Sequence, residues 1–207
     1  MKSCCFPGRK DLSALIYCLA FVGGFVIMSL ELLGGRVMAP WFGSSIYVWG
    51  SIITVFMASL AIGYLLGGRW SLNSPSLNRF GSLFLGGALL LYPLVYFSEP
   101  AMVWIFARIE DPRYGSLAAS CLLFVLPTVM LGMISPYSVR LLVKNTEESG
   151  NIAGRLYFVS TFGSTLGTLG TSFYFVLWFE IDTILNLLTA SLALVGIVAI
   201  AFGARRR

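Results

Sequence analysis

The sequence contains no histidine and few charged residues, and each shortage argues against a class of protein. Histidine is the commonest metal ligand and general base, so its absence from all 207 residues argues against a zinc site or a serine and histidine hydrolase. Charged residues make up only 11% of the chain, against about 25% in soluble domains. Together with 57% hydrophobic residues, this composition indicates an integral membrane protein.

The four cysteines follow no metal-binding or disulfide pattern. Cys4 and Cys5 precede the first apolar run, whereas Cys18 and Cys121 lie inside apolar segments. We therefore expect no metal and no cofactor. The net charge of +5 does not indicate nucleic-acid binding, because most basic residues flank apolar runs, where positive charge orients a membrane protein.

Apolar runs long enough to cross a bilayer, about 20 residues each, recur along the whole chain. They predict an all-α fold, a six-transmembrane-helix bundle that forms one domain over residues 1–207. The predicted spans are about residues 13–34, 46–68, 80–98, 115–143, 155–177 and 183–203. The fourth span is long and contains Pro127 and Pro136, so we expect a helix that is kinked or broken at these prolines.

The basic residues are distributed unevenly between the two sides of the predicted bundle. All but three of the 14 lie at the N-terminus, in the second and fourth loops, or in the C-terminal tail. The exceptions, Arg36, Arg108 and Arg113, share the other side with most of the acidic residues. The positive-inside rule then predicts a multi-pass protein of the cell membrane with both termini in the cytoplasm.

Glu31 is an acidic residue within the first apolar run, where a charge at the bilayer centre costs about 2.5 to 3.5 kcal/mol. Two interpretations remain open: an anionic site that attracts a cation, or an ion pair with Arg36 that holds the following turn. Pro127, Thr128 and Pro136 raise a similar choice, since a helix break either lines a transport site or is a structural kink. These five residues form the candidate substrate-binding set, and no catalytic residue is predicted.

Small residues recur at three- and four-residue steps in the second and fifth spans. This spacing is typical of faces on which two membrane helices pack closely. The glycines lack the spacing of a nucleotide-binding loop, which favours packing over cofactor binding. The predicted packing residues are Gly63, Gly67, Ser160, Gly163, Ser164, Gly167 and Thr171.

Four of these stretches together resemble the membrane module of the spermidine-synthase-like membrane proteins, described as a permease fused to a spermidine synthase. The stretches are residues 31–49, 63–69, 126–136 and 154–171. Members of that family carry a soluble aminopropyltransferase-like domain after the helices, and this chain reaches only Arg207. The resemblance implies a membrane half that is not itself an enzyme and works with a separately encoded synthase-like subunit.

Two functions follow as hypotheses. In the first, the chain belongs to a polyamine-linked system and binds or transports a cationic amine, with two copies pairing as a homodimer. In the second, it is a non-transporting scaffold of the lipid bilayer that dimerises through its small-residue faces and docks a cytoplasmic partner.

Overall fold

The structure, a computed structural model, describes residues 7–143 and 145–205. Over these ranges the chain is helical with short connections and contains no strand, which confirms the all-α prediction there. The helices are α1 Pro7–Phe42, α2 Ile46–Ser71, α3 Leu77–Phe106, α4 Pro112–Gly132, α5 Ile134–Leu142, α6 Ser149–Gly170, α7 Val176–Trp178 and α8 Ile181–Ala204. A π-helix, Thr171–Phe175, joins α6 to α7.

Five helical stretches are long and apolar enough to cross a membrane, judged by length and composition. They are Asp11–Phe42, Ile46–Ser71, Leu77–Phe106, Pro112–Leu142 and Ile181–Ala204. The remaining predicted span, residues 155–177, lies within the helical run from α6 to α7 and is not among the five. The five helices are consistent with a multi-pass membrane protein.

Two of the helices begin at capping residues that the sequence supplies. The Ser76 side chain accepts a hydrogen bond from the backbone N–H of Arg79 at 3.3 Å and caps α3. A carboxylate oxygen of Asp111 accepts from the backbone N–H of Arg113 at 2.9 Å and caps α4. Pro112 occupies the first turn of α4, where its missing N–H costs nothing.

The first helix is longer than the predicted span, and this changes the geometry around Glu31. Residues 35–42, expected in an external turn, continue α1 to Phe42. The helix ends at Gly43, whose φ of +73° suits glycine and whose N–H donates to the carbonyl of Ala39 at 2.9 Å. Similarly, α3 runs through Pro93 and Pro100 to Phe106, so the connection expected over residues 99–114 is mostly helical.

Close packing joins α1 to α6, α2 to α4 and α3 to α8. A Cβ on Gly63 of α2 would lie 2.9 Å from the Cα atom of Gly132, and one on Gly81 of α3 would lie 2.7 Å from the carbonyl oxygen of Gly196 on α8. Both distances are too short for any side chain. Glycine therefore lets these backbones touch.

The buried centre of the bundle is rich in aromatic rings. Phe56 of α2 packs on Phe124 of α4 with ring centroids 5.4 Å apart. At one end, Tyr137 of α5 stacks on Phe80 at 5.7 Å, and its hydroxyl accepts a hydrogen bond from the backbone N–H of Ser76 at 3.1 Å. Tyr137 thus anchors the connection between α2 and α3 to α5.

Candidate functional site

Glu31 lies in α1, eleven residues before the helix ends, and its side chain is half-buried. Within the described part of the chain, its carboxylate has no hydrogen bond or ion pair. Arg36 is exposed on the same helix. Residues five apart on an α-helix point about 140° away from each other, so the continuous helix keeps the Arg36 side chain from folding back over Glu31. The structure therefore shows no ion pair between these two residues.

Two threonine hydroxyls are completely buried and have no hydrogen-bond partner among the described residues. They belong to Thr128 of α4 and Thr171 at the end of α6. Three other helical threonines, Thr165, Thr168 and Thr189, donate to the carbonyl four residues earlier. A buried hydroxyl without a partner costs about 1 to 3 kcal/mol, so each of the two is a position where a ligand atom would be stabilising.

The reason that Thr171 lacks this bond lies in the neighbouring helix. The carbonyl of Gly167, four residues earlier, accepts a 3.4 Å hydrogen bond from the buried hydroxyl of Ser29 on α1. The same carbonyl also accepts the backbone N–H of Thr171. A carbonyl oxygen has two lone pairs, and both are in use.

Thr171 also begins the π-helix, which continues to Phe175. The backbone N–H of Val176 donates to the Thr171 carbonyl five residues back, which marks the wider turn. Such a turn shifts the hydrogen-bond register by one residue, and π-helical turns are frequent at functional sites. The unpartnered hydroxyl and the irregular backbone therefore coincide at Thr171.

Thr128 lies at the same depth as Ser29, as the packing of α1 against α4 and α5 indicates. A Cβ on Gly34 of α1 would touch the ring of Phe124 at 3.1 Å, and one on Gly23 would touch Ile134 at 3.5 Å. Because the two segments run antiparallel, Thr128, one turn after Phe124, falls opposite residues 29 and 30 of α1.

Ser29, Glu31, Thr128 and Thr171 therefore share one depth of the bundle, and we call them the polar layer. Glu31 lies about 3 Å further along the α1 axis than Ser29. The surrounding core consists of apolar side chains. The layer contains one carboxylate and two unpartnered hydroxyls at one depth, and Glu31 points about 160° away from Ser29 around the α1 axis.

Pro127 lies in a different place, in an apolar groove of about 640 Å³ between α3 and α4. Pro93 and Pro100 of α3 line the same groove, together with Phe97 and Trp104. Each proline removes a backbone N–H and leaves unpaired the carbonyl four residues earlier. Glu31, Arg36, Thr128 and Pro136 do not line this groove.

Pro136 lies in α5, three residues after Met133, where α4 has ended and α5 has not begun. The missing N–H of Pro136 leaves the carbonyl of Gly132 without its helical partner at this point. The candidate substrate-binding residues thus fall into separate places: the polar layer, the exposed Arg36, the proline-lined groove and the break at Met133.

The predicted packing residues of the fifth span face α1. A Cβ on Gly163 or Gly167 would collide with the backbone of Phe21 or Phe25. The hydroxyl of Ser164 donates to the carbonyl of Gly24 at 3.1 Å. Ser160 touches the same position through its carbonyl oxygen, and Thr171 continues the face into the π-helix.

Gly24 and Ser29 of α1 complete this interface and were not in the predicted set. A small-residue pattern was present, since Gly23 and Gly24 are adjacent in an otherwise bulky run and Ser29 follows five residues after Gly24. In the second span, Gly63 and Gly67 pack on Val129, Gly132 and Met133 of the same chain. These faces are covered within one copy, so a homodimer requires another surface.

Fold and site together are those of a helical bundle with membrane-length helices and a polar layer inside an apolar core. Compared with known proteins, the chain matches no family model, no curated protein and no solved structure.

Proposed function

We propose that this chain is a six-helix membrane protein, with both termini in the cytoplasm and a kink where α4 meets α5, that binds a cationic amine at Glu31 and carries it across the membrane. The observation that supports the proposal is the half-buried carboxylate of Glu31, which has no ionic partner in the described part of the chain. An acidic side chain inside an apolar span is costly unless it serves a cation or a proton.

Within the polar layer, Glu31 supplies the anionic group that an ammonium ion needs. The attraction between a fixed carboxylate and an ammonium ion grows as the effective dielectric constant falls, so a partly desolvated Glu31 is a stronger site than one in water. An ammonium group donates up to three hydrogen bonds, and the oxygens of Thr128 and Thr171 are unpartnered acceptors at the same depth. An amine with several ammonium groups would use more than one of these acceptors.

The proposal keeps a separately encoded synthase-like subunit as the cytoplasmic partner. Arg69 and Arg140 lie near the helix ends on the proposed cytoplasmic side. By contrast, the side chain of Arg79 donates hydrogen bonds to the carbonyls of Asn73 and Ser74 and shapes its own loop. Arg69 and Arg140 are therefore the basic residues that we assign to docking.

The test is binding and uptake of spermidine and putrescine by purified protein in proteoliposomes. Glu31→Gln removes the charge and keeps the side-chain shape, so we expect at least a tenfold weaker amine binding with an unchanged melting temperature. Glu99→Gln is the matched control, because Glu99 is also acidic and lies in an apolar helix but is exposed near its end. The control should bind amines as wild type does.

Equal losses in Glu31→Gln and Glu99→Gln would show that amines respond only to surface charge. If wild type neither binds nor moves amines, even with a synthase-like subunit present, the amine proposal is wrong. The hypothesis of a non-transporting scaffold that docks a cytoplasmic partner then replaces it, with any dimer formed through another surface.

A further inference from the structure

A shallow and mainly apolar cavity of about 450 Å³, lined by one arginine, opens near the N-terminal ends of α1 and α6. Tyr17 of α1 lines it, together with Asn151, Arg155 and Phe158 of α6. Arg155 is exposed and makes no ion pair among the residues described. Glu147 and Glu148 precede α6 and do not line the cavity. Arg155, Asn151 and Tyr17 thus line one cavity.

Aromatic rings lead from this cavity toward the middle of the bundle. Phe158 stacks on Phe162, one turn further along α6, with ring centroids 6.1 Å apart and planes within 8° of parallel. Phe162 then contacts Phe21 of α1 at 6.5 Å. The Phe158 side chain is 70% exposed and that of Phe162 is 49% exposed, so both rings are accessible from outside the bundle.

The path ends in a second cavity, which is apolar and measures about 480 Å³. Phe21 and Phe25 of α1 line it with Phe175 of the π-helix and Leu188 of α8. Phe25 and Phe175 lie 6.2 Å apart. From Tyr17 to Phe25 the distance along α1 is about 12 Å, close to the depth of one leaflet's hydrocarbon layer. We call the surface from Arg155 to Phe25 the seam. It carries the positive charge of Arg155 at one end and is apolar for about the depth of one leaflet.

We propose that this seam between α1 and α6 binds an anionic glycerophospholipid. The phosphate contacts Arg155, with hydrogen bonds from Asn151 and Tyr17, and one acyl chain lies along Phe158, Phe162 and the cavity at Phe25. A guanidinium pairs with a phosphate through two parallel hydrogen bonds. Phosphatidylcholine also has a phosphate, but its choline cation is repelled by Arg155, so an anionic headgroup is preferred. In the proposed topology this is the cytoplasmic leaflet, where anionic lipids are enriched.

The π-helix forms part of the proposed lipid site. Phe175 belongs to the π-helix, and its ring forms the wall of the apolar cavity against Phe25. A lipid chain in the cavity would fill space beside an irregular stretch of backbone and hold the seam together. This role differs from amine binding, because none of the lining residues belongs to the polar layer.

The test is native mass spectrometry of detergent-purified full-length protein, titrated with phosphatidylglycerol or phosphatidylcholine of matched acyl chains. Wild type should retain one phosphatidylglycerol in preference to phosphatidylcholine. Arg155→Gln should weaken phosphatidylglycerol binding about fivefold, because one basic residue contributes about that factor near an anionic lipid. Arg155→Lys keeps the charge and should retain most of the preference.

Arg140→Gln is the matched control, because Arg140 is an exposed arginine near the end of α5 outside the cavity. It should bind phosphatidylglycerol as wild type does. Phe162→Ala removes the middle of the aromatic path. It should weaken the binding of both lipids without changing the preference for one headgroup. An equal loss in Arg140→Gln, no preference in wild type, or full competition by soluble glycerol phosphate would overturn the proposal.

Discussion

At the scale of single residues, glycine decides how closely the helices approach. Glycines on one helix have different surroundings, and the structure separates them. Gly167 of α6 lies against the backbone of Phe25, whereas a Cβ on Gly154 of the same helix would meet nothing within 4 Å. The sequence alone does not distinguish these two glycines, but only Gly167 is required for close packing of α6 on α1.

Gly167→Ala and Gly154→Ala should therefore have opposite effects on stability. In Gly167→Ala, the new methyl group must push α6 away from α1, and we expect a loss of about 1 to 3 kcal/mol, as for other overpacked sites. In Gly154→Ala, the methyl group has room, and the higher helix propensity of alanine adds up to about 1 kcal/mol. Thermal unfolding in detergent measures both variants. A Gly167→Ala protein as stable as Gly154→Ala would disprove close packing of α1 and α6.

At the scale of elements, two helices depart from regular α-geometry in different ways. The run from α6 to α7 keeps its backbone hydrogen bonds by widening into a π-helix, whereas α4 and α5 meet at Met133, whose backbone angles stay helical. The second departure has a covalent cause, since Pro136 has no N–H to offer the carbonyl of Gly132. The π-helix contains no proline that would explain it, and it begins four residues after Gly167, whose carbonyl accepts a hydrogen bond from Ser29.

Replacing Pro136 by alanine should add the missing helical hydrogen bond at the junction of α4 and α5. The restored N–H would donate to the Gly132 carbonyl, and one hydrogen bond contributes about 1 kcal/mol, so amide exchange over residues 133–138 should slow about fivefold. Hydrogen exchange followed by mass spectrometry measures this change. Pro112→Ala is the control, because a proline in the first helical turn removes no hydrogen bond. Unchanged exchange in Pro136→Ala would mean that tertiary packing, not proline, separates the helices.

At the scale of the whole molecule, the charge bias predicts which loops face the cytoplasm. The connections near Glu110 and Asp182 should lie outside, and the one near Glu147 inside. Single cysteines placed at these three positions in a cysteine-free background test this orientation in intact cells. An impermeant maleimide should label positions 110 and 182 but reach position 147 only after permeabilisation. Labelling at 147 in intact cells would reverse the proposed topology.

The all-α class and most of the helix positions follow from the sequence alone, because apolar runs of membrane length are a local property. Capping residues such as Ser76 and Asp111 accept hydrogen bonds from backbone N–H groups two or three residues later. They can therefore also be recognised from the sequence. Charge distribution is equally local and supports an orientation without any knowledge of packing. The small-residue spacing of α6 likewise depends on a single helix.

Only the tertiary structure decided which side chains share a depth. Glu31 and Arg36 are close in sequence, but α1 continues to Phe42, so their side chains point in different directions. Thr128 and Thr171 lie far from Ser29 in sequence, yet the fold places them at the same depth. The hydroxyl of Thr171 lacks a partner because Ser29, on another helix, occupies its carbonyl acceptor. Such an arrangement depends on the register between helices, which is set by backbone contacts at glycines such as Gly24 and Gly167.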